Sequence, residues 1–269
     1  MSILQRGLTQ YPLLTSTLMV ILAVTCAKAP LFMLEGVFTQ SNTVWLGTIG
    51  RLLVSFAFIG LLVKLSWAKH AGLTQPFKNW GNHWFLVICP MLIIGLVNLS
   101  SVQWTSLQFS LTGLFVLLSE NIAVGLFEEV IMRGFAFYIL YRAWAQQKYG
   151  LYKAAIAQAT IFGLLHLFNL GKGPQVDVIA QVIYATLLGI GFAGIVAYTR
   201  TLWTAVFAHA FINTMGSISN VFVPNYIQPP TSAGNYIVLT AVIFLLVTLP
   251  GLWCLKQANK SELSRVAVS

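Results

Sequence analysis

Phe127-Glu128-Glu129-Val130-Ile131-Met132-Arg133 lies inside the apolar run of residues 111–140. It places three charges within two helical turns. A charge at the centre of a membrane-spanning helix costs about 2.5–3.5 kcal/mol on insertion scales, so the cluster needs a reason. An intramembrane ionisable cluster reads first as a functional site, with its partners elsewhere in the bundle.

The surrounding composition makes the membrane reading firm. Of 269 residues, 58% are hydrophobic and 8% charged, against roughly 25% charged in a soluble domain. The apolar content is spread along the whole length. This predicts an all-α integral membrane protein rather than a soluble domain on one anchor. About eight segments have spanning length: 13–34, 45–65, 84–99, 111–140, 154–170, 178–198, 202–223 and 236–255. The third is short and contains Pro90, which predicts a kinked or partly interfacial helix.

The basic residues test the count. With the gaps numbered alternately, one side receives Arg6, Lys64, Lys69, Lys78, Arg142, Lys148, Lys153, Arg200, Lys256, Lys260 and Arg265. The other receives only Lys172, while Lys28, Arg51 and Arg133 fall inside apolar segments. This asymmetry predicts that both termini and the basic loops are cytoplasmic. The net charge of +9 is then topology, with an added attraction to anionic headgroups, and not a nucleic-acid footprint.

Arg6, the apolar run after it and Ala27-Lys28-Ala29 imitate a cleavable signal. Pro30 follows directly, and cleavage would leave an odd number of spans, so the segment reads as a retained first helix. Cys26, Cys89 and Cys254 lie in apolar spans without pairing or metal spacing, and read as small core residues. No linker or repeat divides residues 1–269, which predicts a single polytopic domain. Gly189-Ile190-Gly191-Phe192-Ala193-Gly194 matches a dinucleotide fingerprint, but with no strand before it the string reads as close helix packing through small residues.

Helix geometry divides the opening cluster. Glu129 and Arg133 are four apart with the acid first, the favourable order for an intrahelical ion pair. Glu128 is turned by about 100° and lacks Arg133 on its own face. Two further strings carry polar residues into the membrane. Phe162-Gly163-Leu164-Leu165-His166 is followed by Asn169, placed to orient the imidazole. His209-Ala210-Phe211-Ile212-Asn213 sets two polar side chains on one helical face. These read either as interhelical hydrogen-bonding residues or as donors for a developing negative charge. Measured from the nearest cytoplasmic cations at about 1.5 Å per residue, Glu128, His166, His209 and Asn213 all fall roughly 13–20 Å deep. A shared polar cavity near the bilayer middle is the economical explanation. A carboxylate and an imidazole there can activate water, while a second His and an Asn donate to an oxyanion.

Glu128-Glu129-x-x-x-Arg133, Phe162-x-x-x-His166 and His209-x-x-x-Asn213 resemble, in order, the EExxxR, FxxxH and HxxxN motifs of the CAAX protease and bacteriocin-processing family of intramembrane endopeptidases. The resemblance covers a core of about 111–223. It implies an eight-helix membrane fold and a catalytic cavity within the bundle. By motif position it implies Glu128 as catalytic glutamate, His166 as its partner on water, and His209 and Asn213 as the oxyanion pair. Glu129, Arg133 and Phe162 take supporting places. Zinc held by Glu and two His is the alternative; with no HExxH string, and Asn213 a poor zinc ligand, no metal cofactor is expected. The partners implied are a peptide or protein substrate entering from the membrane or the cytoplasm, and the lipid bilayer. Short loops without added domains point to a bacterial plasma membrane. Two rival functions stay open: a non-proteolytic immunity or scaffold protein, and a transporter with a midplane ionisable site.

Overall fold

The computed structural model describes residues 3–33, 40–81, 83–171 and 173–266. Leu34, which ends the first apolar segment, and Lys172, the basic residue assigned to the opposite side, lie outside them. The regular structure is entirely helical among the described residues. In order come α1 (Ile3–Gln10), α2 (Pro12–Met33), α3 (Gln40–Lys64), α4 (Trp84–Asn98), α5 (Leu111–Glu129) and α6 (Tyr138–Trp144). Then follow α7 (Gly150–Leu165), α8 (Gln175–Thr199), α9 (Trp203–Gly216), α10 (Ile218–Phe222), α11 (Ala233–Ile243) and α12 (Leu249–Val266).

Each apolar segment of the sequence is mostly helical among the described residues. Among the described residues, six helices are long and apolar enough to cross a membrane: Pro12–Pro30, Thr43–Lys64, Trp84–Ser101, Gly150–Asn169, Gln175–Thr199 and Ala233–Asn259. The fourth and seventh segments, which carry motif residues, are built differently. The fourth is α5, a π-helical stretch Val130–Phe137 and α6 in unbroken succession. The seventh stops at Gly216 and resumes as the short α10 after Ser217. Pro90 sits within α4, which continues past it.

Exposure is inverted relative to a soluble protein. Leu53 and Phe115 are 64% and 65% exposed on the outer surface, while Glu129 and Gln158 are fully buried. Lipid tails are as apolar as leucine, so helix association here depends on close packing and interhelical hydrogen bonds. Gln158 on α7 donates to the Gly189 carbonyl of α8 at 2.9 Å. A β-carbon at Gly194 would overlap the carbonyl oxygen of Gly251 on α12. The glycine-rich string of α8 is therefore a packing surface. The cysteines divide otherwise than expected: Cys254 is buried, but Cys26 and Cys89 are exposed, because they fall on the outward faces of α2 and α4.

Candidate active site

The site forms where α5 meets α9. A β-carbon on Gly125 would lie 3.1 Å from both the Ala210 nitrogen and the Val206 carbonyl oxygen. Glycine therefore lets the two backbones approach, one turn from Glu128 and Glu129 on one side and beside His209 on the other. Ser110 starts α5 by accepting from the Gly113 amide at 2.9 Å, a side-chain N-cap. Directly after Glu129 the chain widens into the π-helical stretch that carries Arg133. Such widenings occur often at functional sites because they re-aim side chains within a continuous helix.

Arg133 Nη1 donates to Glu129 Oε1 at 2.9 Å, and both side chains are fully buried. The ion pair expected from spacing is present, but it is part of something larger. His209 Nδ1 lies 2.7 Å from the same Glu129 oxygen. His209 Nε2, at the other edge of the ring, stands 3.6 Å from Glu128 Oε2. Glu128 keeps 26% of its side chain exposed. One carboxylate is thus locked between a guanidinium and an imidazole, and the other faces that imidazole from an open position.

Arg133 is also held by two rings. Its guanidinium carbon lies 4.8 Å from the centroid of Phe162 and 5.1 Å from that of Phe192. Its Nε and Nη2 have no hydrogen-bond partner among the described residues, so the aromatic faces supply the contact that solvent would otherwise give. Phe192 stacks on His209 at 5.4 Å with 11° between planes. Sequence reasoning missed Phe192. Its only signal was being the one aromatic within the small-residue string of α8.

His166 opens the 3-10 turn His166–Asn169 after α7 and is half-buried. Its ring meets Phe162 edge-on at 5.3 Å. Glu128, His209 and Lys28 lie near enough for their charges to act on it. Lys28 was previously only an unexplained cation in the first apolar segment. Asn169 does not orient His166: its amide donates to Gln181 at 3.2 Å, because the 3-10 turn points it at α8. Asn213 is half-buried one turn beyond His209 on α9. Glu128, Glu129, Arg133, His209 and Phe162 are therefore in contact as one cluster, with His166 at its edge and Asn213 along the same helix. No three of His, Cys, Asp and Glu converge as a metal-holding group among the described residues.

Residues 110–215 match the model of a protein family described as Rce1-like, type II CAAX prenyl endopeptidase Rce1-like. The matched segment contains every residue of the cluster, and it is the resemblance that the three motifs carry. No curated protein and no solved structure matches the chain. The apolar helices and the family match together describe a multi-pass membrane protein similar to CAAX-type endopeptidases.

Proposed function

We propose that this chain is an intramembrane endopeptidase that hydrolyses a peptide bond with water activated by Glu128 and His166. The observation that carries the proposal is the unequal state of the two adjacent carboxylates. Glu129 is consumed by Arg133 and His209, whereas Glu128 is accessible and faces the free edge of His209 at 3.6 Å.

In the proposed reaction Glu128, assisted by His166, takes a proton from a water whose oxygen adds to the scissile carbonyl. The oxyanion is held by His209 Nε2 and Asn213. Collapse breaks the C–N bond, and the proton passes to the leaving amine. The contact with Glu129 constrains how His209 can donate. If Nδ1–H donates to Glu129, then Nε2 can donate only when the ring carries both protons. Glu129 and Arg133 orient that ring, and Phe162 covers the guanidinium. The reaction needs no resident metal.

The substrate class is a peptide or protein end arriving from the membrane or the cytoplasmic side; a prenylated protein or a peptide precursor of pheromone or bacteriocin type would qualify. The eight helical segments are read as eight crossings with both termini cytoplasmic, in a bacterial plasma membrane. The test is cleavage of candidate peptides by the purified chain. Glu128→Ala and His166→Ala should each reduce the rate about 10²–10⁴-fold while the chain remains folded. Undiminished cleavage by either variant would sink the assignment. A cellular phenotype fully retained by Glu128→Ala would favour a scaffold or immunity role.

A further inference from the structure

Basic residues that are scattered along the sequence converge in space. Two adjoining cavities, of about 730 Å³ and about 650 Å³, open at the end of the bundle that carries the basic loops. They share Lys69, Gln75 and Arg200 as walls; the larger adds Arg133 and Arg142, the smaller Lys78. No acidic side chain lines either cavity among the described residues. Topology asks for positive charge on this face of the membrane. It does not ask for five cations along two adjoining cavities.

The space is built rather than incidental. Leu202 N–H donates to the Gly72 carbonyl at 3.0 Å, Gly81 N–H to Thr199 at 3.1 Å, and the Trp203 indole to Leu73 at 2.9 Å. These bonds pin the segment 65–81 to the α8–α9 turn that presents Arg200. Gly72 has φ +82°, and a β-carbon there would meet the Leu202 nitrogen at 3.0 Å, so the join requires glycine. Lys69, Lys78 and Arg200 are exposed and hold no ion pair among the described residues. Deeper in, Arg142 donates to the Tyr138 hydroxyl at 3.2 Å and lies over Trp67, leaving its buried Nε without a partner. Arg133, buried and paired with Glu129, lies at the inner wall of the larger cavity.

The rest of the setting identifies the ligand's chemistry. Phe137, Leu151 and Val196 make part of the larger cavity's wall apolar. Trp80, in the wall of the smaller, packs edge-on with Trp84 at 5.2 Å and beside Phe77, which is 66% exposed. Aromatics and cations together at a helix end mark the membrane–water interface, where basic pockets between helices bind anionic headgroups. Several cations at different heights match the spread oxygens of a phosphate better than the two of a carboxylate. We propose that this double cavity is a binding site for the phosphate of an anionic phospholipid headgroup.

The full chain, purified in detergent, is titrated with short-chain phosphatidylglycerol, with phosphatidylcholine of equal chain length, and with inorganic phosphate. Thermal midpoint and bound lipid, counted by native mass spectrometry, are the readouts. Phosphatidylglycerol should bind and raise the midpoint, and phosphatidylcholine should do neither. The double variant Lys69→Gln/Arg200→Gln should weaken phosphatidylglycerol about 30-fold, the loss of two cationic contacts. The control Lys148→Gln/Lys153→Gln removes the same charge from exposed positions at the start of α7 and should change affinity less than about twofold. Displacement of bound phosphatidylglycerol by inorganic phosphate would support recognition of the phosphate itself. Equal binding of both lipids, or phosphatidylglycerol affinity unchanged in the double variant, would overturn the proposal. So would stabilisation by inorganic phosphate without lipid binding, which makes the ligand a soluble anion. Tighter binding of a peptide with a free C-terminal carboxylate, lost in the same double variant, would reassign the cavity to peptide.

Discussion

Glu129 and Arg133 illustrate how a buried charge persists in an apolar bundle. Each neutralises the other at 2.9 Å, and Phe162 and Phe192 close over the guanidinium. Removing one partner leaves the other buried and uncompensated, a loss of about 3–5 kcal/mol. Glu129→Gln should therefore lower the thermal stability of the detergent-solubilised protein substantially. Glu129→Gln/Arg133→Gln should recover part of that loss, and a melting series on the three variants measures the recovery. Glu128→Gln should leave stability nearly unchanged, since Glu128 is partly exposed and its contact is a longer 3.6 Å approach. The absence of a resident metal is tested at the same scale: dialysis against a strong chelator should leave peptide cleavage intact, and loss restored by zinc would reverse that reading. The i,i+4 ion pair was legible in the sequence because spacing alone places both ends on one face. The third member, His209, was not legible as a partner of Glu129. Its approach depends on how α9 lies against α5.

At the scale of elements, small residues set which helices touch. Gly194 on α8 faces the Gly251 backbone of α12, whereas Gly60 on α3 faces open space. Gly194→Ala should destabilise the protein by about 1–3 kcal/mol, as in other overpacked contacts. Gly60→Ala should be neutral or stabilising by up to about 1 kcal/mol, because alanine loses less backbone freedom in a helix. Equal melting of the two variants would argue against the α8–α12 contact. The fourth apolar segment was legible as a helix, but the widening at Val130–Phe137 was not. All eight residues of the stretch are buried, and no spacing in the sequence distinguishes an α from a π register there. The broken seventh segment was likewise read as one span, although Gly216 and Ser217 end α9 after 14 residues.

For the whole molecule, the asymmetry of basic residues makes an orientation test direct. Lys148→Cys lies in the basic loop before α7, and Gln228→Cys in the exposed loop between α10 and α11. In inside-out membrane vesicles a membrane-impermeant maleimide should label Lys148→Cys and spare Gln228→Cys; the opposite pattern would invert the proposed topology. In the proposed orientation the double basic cavity would lie at the cytoplasmic headgroup layer. Arg133 would then lie between that cavity and the candidate catalytic carboxylate, so headgroup binding and the buried ion pair share one side chain.

Composition and hydropathy by themselves determined that this chain is a helical membrane protein, because the bilayer leaves backbone groups no hydrogen-bond partner outside a helix or closed barrel. Local spacing determined the Glu129–Arg133 pair and the common face of His209 and Asn213, since helical periodicity is a property of the chain alone. Only the tertiary structure decided that His209 bridges both carboxylates, that Phe192 covers Arg133, and that Asn169 turns to Gln181 instead of His166. It alone gathered five cations along two adjoining cavities. Those contacts join residues that are distant in sequence, and their distances are set by how closely glycine allows one helix to approach another.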